Sequence, residues 1–117
     1  MAFASAVALV TLVITRAGVT ATTGMVAATA THGNKFLNSG KECLHVKNAS
    51  ASPITVTIAT PGQVDGMDIG DLTVSVAATT GDVIIGPFTR TFEAQENWIH
   101  AVFSDVTTVT VGAIRMP

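Results

Sequence analysis

Three histidines, a single cysteine and two acidic clusters are the residues whose types could do chemistry in this chain. His32, His45 and His100 lack the i, i+4 spacing and the neighbouring Cys or carboxylate partners that a zinc site displays, so a three-imidazole site would have to be assembled by folding alone. Cys43 and His45 alternate by two and would share one strand face, in the manner of a thiol and its base. A catalytic thiol needs a lowered pKa, and no basic cluster or helix start lies beside Cys43 to lower it, so a small apolar thiol next to a histidine is the expected reading. Asp65, Asp68 and Asp71 fall in one loop, but their spacing misses the EF-hand pattern and no Glu arrives at the bidentate position. Turn-forming aspartates that cap backbone N–H groups account for them. Glu93 and Glu96 form a second carboxylate pair, of a kind that can serve as acid and base but also decorates solvated loops. With no tyrosine and Trp98 as the one large amphipathic ring, sugar stacking has little to work with, and the glycines occur singly and form no phosphate-cradling loop. The chain is therefore expected not to be an enzyme, and to need neither cofactor nor metal.

The elements that would position these residues are strands. In Ile54-Thr55-Val56-Thr57-Ile58-Ala59, Ile54, Val56 and Ile58 fall on one face of a pleat and the threonines on the other, and Leu72-Thr73-Val74-Ser75-Val76 repeats the alternation. Val and Thr are stiff at χ1 and suit a half-buried pleat. Turn signals separate the runs at Ala59-Thr60-Pro61-Gly62, Asp65-Gly66, Thr80-Gly81-Asp82 and Ser104-Asp105. The pattern predicts an all-β, single-domain β-sandwich or small barrel. A chain of 117 residues is long enough for one core and no more.

Composition narrows the partners. Charged residues make up 12% of the chain, against about 25% in an average soluble protein, so much of the surface must be Thr, Ser, Ala and Gly. Such a surface is cheap to desolvate and points to permanent assembly. A net charge of −2, with Lys35, Lys41 and Lys47 scattered, speaks against a grip on nucleic acid. One cysteine closes no disulfide within the chain, which fits synthesis in a reducing cytoplasm.

The N-terminal run from Ala4 to Ile14 is apolar but too short to span a membrane, which takes about 20 residues, and no Lys or Arg precedes it as a secretory signal would require. Val7-Ala8-Leu9-Val10-Thr11-Leu12-Val13-Ile14-Thr15 reads instead as an extended strand or arm, apolar on both faces, which a neighbouring subunit must cover if its own core cannot. Residues 17–33, rich in Ala, Thr and Gly and without regular period, read as a linker or irregular crossing. The expected division is thus an arm and linker over 1–33 and a sandwich over 34–117, with Phe3, Val7, Leu9, Leu12, Ile14 and Arg16 as a candidate assembly interface. Trp98 and Phe103 are expected in the core or at a subunit seam, with the core favoured, and Arg115 is a further candidate for interface pairing.

An ordered set of segments carries a resemblance: Ile14-Thr15-Arg16-Ala17-Gly18, Gly33-Asn34-Lys35-Phe36, Asn38-Ser39-Gly40-Lys41, Leu44-His45-Val46-Lys47-Asn48, Ser52-Pro53-Ile54-Thr55-Val56-Thr57, Thr60-Pro61-Gly62, Val64-Asp65-Gly66, Asp71, Ile85-Gly86-Pro87-Phe88, Val106-Thr107, Val109-Thr110-Val111 and Ala113-Ile114-Arg115. Together they resemble small structural proteins encoded among the head genes of tailed bacteriophages. The chain departs from that pattern at Met67-Asp68-Ile69-Gly70, where a more uniformly small and apolar stretch is expected, and in a longer apolar N-terminal extension. The resemblance implies a virion component on the capsid exterior, a decoration or cement protein that binds the major capsid protein, assembles with itself as a trimer, and engages neither nucleic acid nor membrane. Other virion roles, such as head-completion, neck or tail accessory proteins, remain open at this stage, as does a carbohydrate-binding or adhesin module.

Overall fold

The computed structural model describes residues 6–20, 22, 24–60, 63–68, 70–88, 92 and 97–116. Among the described residues twelve strands follow in chain order: β1 (Val7–Ala8), β2 (Thr11–Val13), β3 (Val26–Ala27), β4 (Asn34–Leu37), β5 (Glu42–Asn48), β6 (Ile54–Ile58), β7 (Gln63–Val64), β8 (Met67–Asp68), β9 (Leu72–Val76), β10 (Gly81–Ile85), β11 (Trp98–Phe103) and β12 (Val109–Arg115). The period-2 runs at Ile54 and Leu72 become β6 and β9, paired antiparallel in register from Ile54 opposite Val76 to Ile58 opposite Leu72. The fold is an all-β sandwich, as the alternation predicts.

One sheet runs β1-β4-β11-β6-β9 and the other β10-β5-β12-β2, with β3 also paired to β12. Each strand sends alternate residues into the space between the sheets. From the first sheet come Phe36, Val56, Ile58, Ile99, Ala101 and Phe103; from the second, Leu44, Val46, Val109, Val111 and Ala113. All are buried, and each large apolar side chain among them contributes roughly 1.5–3 kcal/mol to folding. Phe88 extends the core beside Phe36, with ring centroids 5.8 Å apart, after a cis Gly86–Pro87 bond.

The N-terminal third joins the sheets through three short strands. β1 pairs in parallel with β4, β2 in parallel with β12, and β3 antiparallel with β12. Over its described residues the segment is woven into both sheets of its own chain. Two devices hold it there. The Val7 and Leu9 N–H groups donate to the Gly33 and Lys35 carbonyls at 3.1 and 2.8 Å. The buried Asn34 amide donates to the Val7 carbonyl at 3.3 Å and to the Thr29 hydroxyl at 3.2 Å, while its oxygen accepts the Thr29 N–H at 3.0 Å. Between β1 and β2 the chain passes from one sheet to the other, burying Leu9 on the way and leaving Val10 81% exposed.

Candidate functional site

β5 presents Glu42, Leu44, Val46 and Asn48 to the core and Cys43, His45 and Lys47 to the outer face of its sheet. On that outer face His45 has Ile84 of β10 on one side and Gly112 of β12 on the other. Gly112 supplies no side chain, and Met25 lies over it so closely that an added Cβ would fall 3.0 Å from Met25 Cγ. The segment after β2 therefore crosses the solvent side of the sheet, and His45 is 4% exposed although it points away from the core.

Beside His45 the crossing leaves a hollow of about 360 Å³. Leu12 and Ile14 wall it on one side, Val19 with Gly18 on another, and Ile84 and Ile114 complete it from the sheet. Among the described residues the lining is apolar apart from the imidazole, and Ile84 and Val19 are 59% and 39% exposed. Strand parity explains the composition: Ile84 and Ile114 occupy outward positions of alternating runs, where a sheet with one solvated face ordinarily carries polar residues. Arg16 is exposed in the turn that leads to Gly18, closed by the Gly18 N–H on the Thr15 carbonyl at 3.0 Å.

The imidazole of the hollow is held by a neighbouring carboxylate. His45 Nε2 lies 2.5 Å from Asp82 Oδ1, and a carboxylate can only accept, so Nε2 donates. Burial pushes the Cys43 thiol up, and the nearby Glu42 carboxylate adds to the effect. A thiol held protonated in this way is a poor nucleophile.

The remaining candidate residues are dispersed. His100 lies on the outer face of the other sheet, its Nε2 2.6 Å from the His32 carbonyl oxygen, so the core separates it from His45. Among the described residues no group of three or more His, Cys, Asp and Glu side chains could hold a metal ion. Asp65 adopts a left-handed backbone (φ 52°) in the β7–β8 turn, and Asp71 accepts the Thr60 N–H at 2.9 Å, the turn and capping roles expected of them. Glu93 and Glu96 lie outside the described residues, as does Phe3.

Of the candidate interface residues, Leu12 and Ile14 line the hollow, Arg16 is exposed, Val7 is half-exposed on an edge strand, and Leu9 is buried in the core. Phe103 is buried, whereas Trp98 faces outward, half-buried, with Lys35 Nζ 5.2 Å from its ring centroid. The parity of β11 decides this, because Ile99, Ala101 and Phe103 take the inward positions. Sequence reasoning missed His45, Val19, Ile84 and Ile114 as members of one surface. The outward parity of Ile84 in Gly81–Ile85 was the available signal.

No family model, curated protein or solved structure matches this chain. Among the described residues no helix is long and apolar enough to cross a membrane.

Proposed function

We propose that this chain is a structural virion protein, a decoration or cement protein that binds the outer surface of a tailed-phage capsid and stabilises contacts between capsomers. The observation that carries the reading is the largely aliphatic hollow formed by Leu12, Ile14, Val19, Ile84 and Ile114 beside His45 on the solvent side of a sheet, in a chain with 12% charged residues. Exposed apolar surface of this kind marks an interaction site. The resemblance of the sequence to phage head proteins supplies the context.

The physics of such a role needs no catalysis. Packaged DNA pushes capsomers apart, and a protein that binds the expanded shell and not its precursor stabilises that shell by mass action. A rigid sandwich supplies shape, and apolar surfaces on it supply contacts to the major capsid protein and to further copies of itself.

Virions of the phage that encodes the chain should contain it in many copies, in fixed proportion to the major capsid protein. Quantitative densitometry of purified particles checks this. A copy number matching a single ring would assign it to the neck or tail, and absence from the particle would end the virion reading.

A further inference from the structure

We infer that β9 is a pairing edge for a second copy of this chain: two β9 strands meet antiparallel about a two-fold axis at Val74 and join the β1-β4-β11-β6-β9 sheets of two copies into one. The inference stands on the strand ladder itself and does not depend on the decoration reading.

The hydrogen-bond phase of the ladder shows which main-chain groups β9 leaves open. The Ala59 N–H donates to the His100 carbonyl and the Ser104 N–H to the Thr55 carbonyl, each at 3.0 Å, so the odd-numbered residues of this run turn their main-chain groups to β11. Ile54, Val56 and Ile58 therefore turn theirs to β9, where they lie opposite Val76, Val74 and Leu72. The N–H and C=O groups of Thr73 and Ser75 then point out of the sheet edge, and among the described residues no strand pairs with β9 on that side.

Open edges are ordinarily guarded by shortness, charge, proline or a bulge. β1 spans two residues, β2 three, and β10 carries Asp82, so the other sheet edges are guarded in this way. β9 has none of these devices: Leu72-Thr73-Val74-Ser75-Val76 is uncharged and in unbroken register with β6. The sandwich is also incompletely closed on this side. Leu72 and Val74, with Val83 of β10, pack against the core yet are only half-buried.

The strand is complementary to itself, and this names the occupant. Centring the pair on Val74 sets Thr73 opposite Ser75 of the second copy and Ser75 opposite its Thr73, and each such pair exchanges both main-chain hydrogen bonds. Leu72 then meets Val76 of the second copy on the core side, while hydroxyls meet on the solvent side, which are favourable cross-strand pairs on both faces. The two Asp71 carboxylates fall at opposite ends of the join, so like charges stay apart. A contact of one edge with itself is isologous and closes at two copies.

Amide exchange and cross-linking in the full chain test this. As the protein is concentrated, sedimentation should pass from monomer to dimer, and the Thr73 and Ser75 amides should slow more than that of Val74, which β6 already holds. In a Cys43→Ala background Val74→Cys should oxidise to a dimer, because residues facing each other in a non-hydrogen-bonded pair lie about 4.5 Å apart at Cα, whereas Ser75→Cys, offset from its own counterpart, should not. Ser75→Pro removes an N–H that the chain's own ladder does not use, and should give a folded monomer. A wild type that stays monomeric through the whole concentration range, or Ser75→Cys linking as readily as Val74→Cys, overturns the inference. Protection of Thr73 and Ser75 that arises only on shells also overturns it and gives the edge to a shell segment. A dimer with no affinity for shells bears the pairing out and removes the decoration role.

Discussion

His45 Nε2 sits 2.5 Å from Asp82 Oδ1, tying a buried ring at the floor of the hollow to a half-exposed carboxylate on the neighbouring strand. The pair is diagonal, since Asp82 lies opposite Lys47 and Ile84 opposite His45 in the ladder. It fixes the ring that forms the hollow's one polar wall.

Replacing Asp82 with Ala removes the acceptor and leaves a nearly buried N–H to find water. The expected cost is about 1 kcal/mol, read as a lower urea midpoint at unchanged slope. An unchanged midpoint would mean that the pair contributes nothing to the fold.

Gly33 sits against Ala101, where an added Cβ would fall 2.0 Å from the Ala101 carbonyl oxygen, and its φ is +71°. Gly33→Ala should therefore cost about 2 kcal/mol or more, combining backbone strain with displacement of β11. Gly40 has φ +91° with nothing within 4 Å of an added Cβ, so Gly40→Ala should cost only the backbone component, about 1 kcal/mol. Equal losses for the two variants in thermal unfolding would contradict the packing around Gly33.

Asn34 is fully buried and joins β1 to the segment before β4 through Val7 and Thr29. Asn34→Ala strands these groups, and the expected loss is about 2 kcal/mol. Amide hydrogen exchange at Val7 and Leu9 should quicken more than at Val46 or Val111 in the core strands. Uniform acceleration would show that β1 does not open separately.

Glu42 sets an acid limit. Burial would raise its carboxyl, but hydrogen bonds from the Ser39 N–H and hydroxyl and from the Lys41 N–H outweigh that and hold it below the ordinary carboxyl value near 4.5. A folded state that binds its proton less readily than the unfolded chain is stabilised above the unfolded value, and loses that contribution as pH falls through the lower folded value. The wild type should therefore lose stability between pH 5 and lower pH more steeply than Glu42→Gln. Parallel pH profiles for the two proteins would show that the Ser39 contacts carry no such linkage.

The alternating runs made the sandwich legible from residues alone, and β6, β9 and the Asp65-Gly66 turn stand where the alternation and turn chemistry put them. Asp71 as a turn cap and Phe103 in the core followed from the same local rules. The N-terminal segment did not, because an apolar strand of mixed parity has the same sequence whether its partner is another subunit or two sheets of its own chain. The distinction lies in parallel pairings across more than twenty residues, Val7 with Asn34, and across about a hundred, Thr11 with Ala113, which no local pattern encodes.

Period and residue type by themselves determined that this chain forms pleated strands with one aliphatic face and an unusually uncharged surface, because side-chain direction alternates with every residue and needs no knowledge of neighbours. Tertiary structure alone decided that Leu12, Ile14, Val19, Ile84 and Ile114 surround His45. These residues come from β2, the crossing that follows it, β5, β10 and β12, and a surface built from strands so far apart in sequence exists only once the sheet has ordered them side by side.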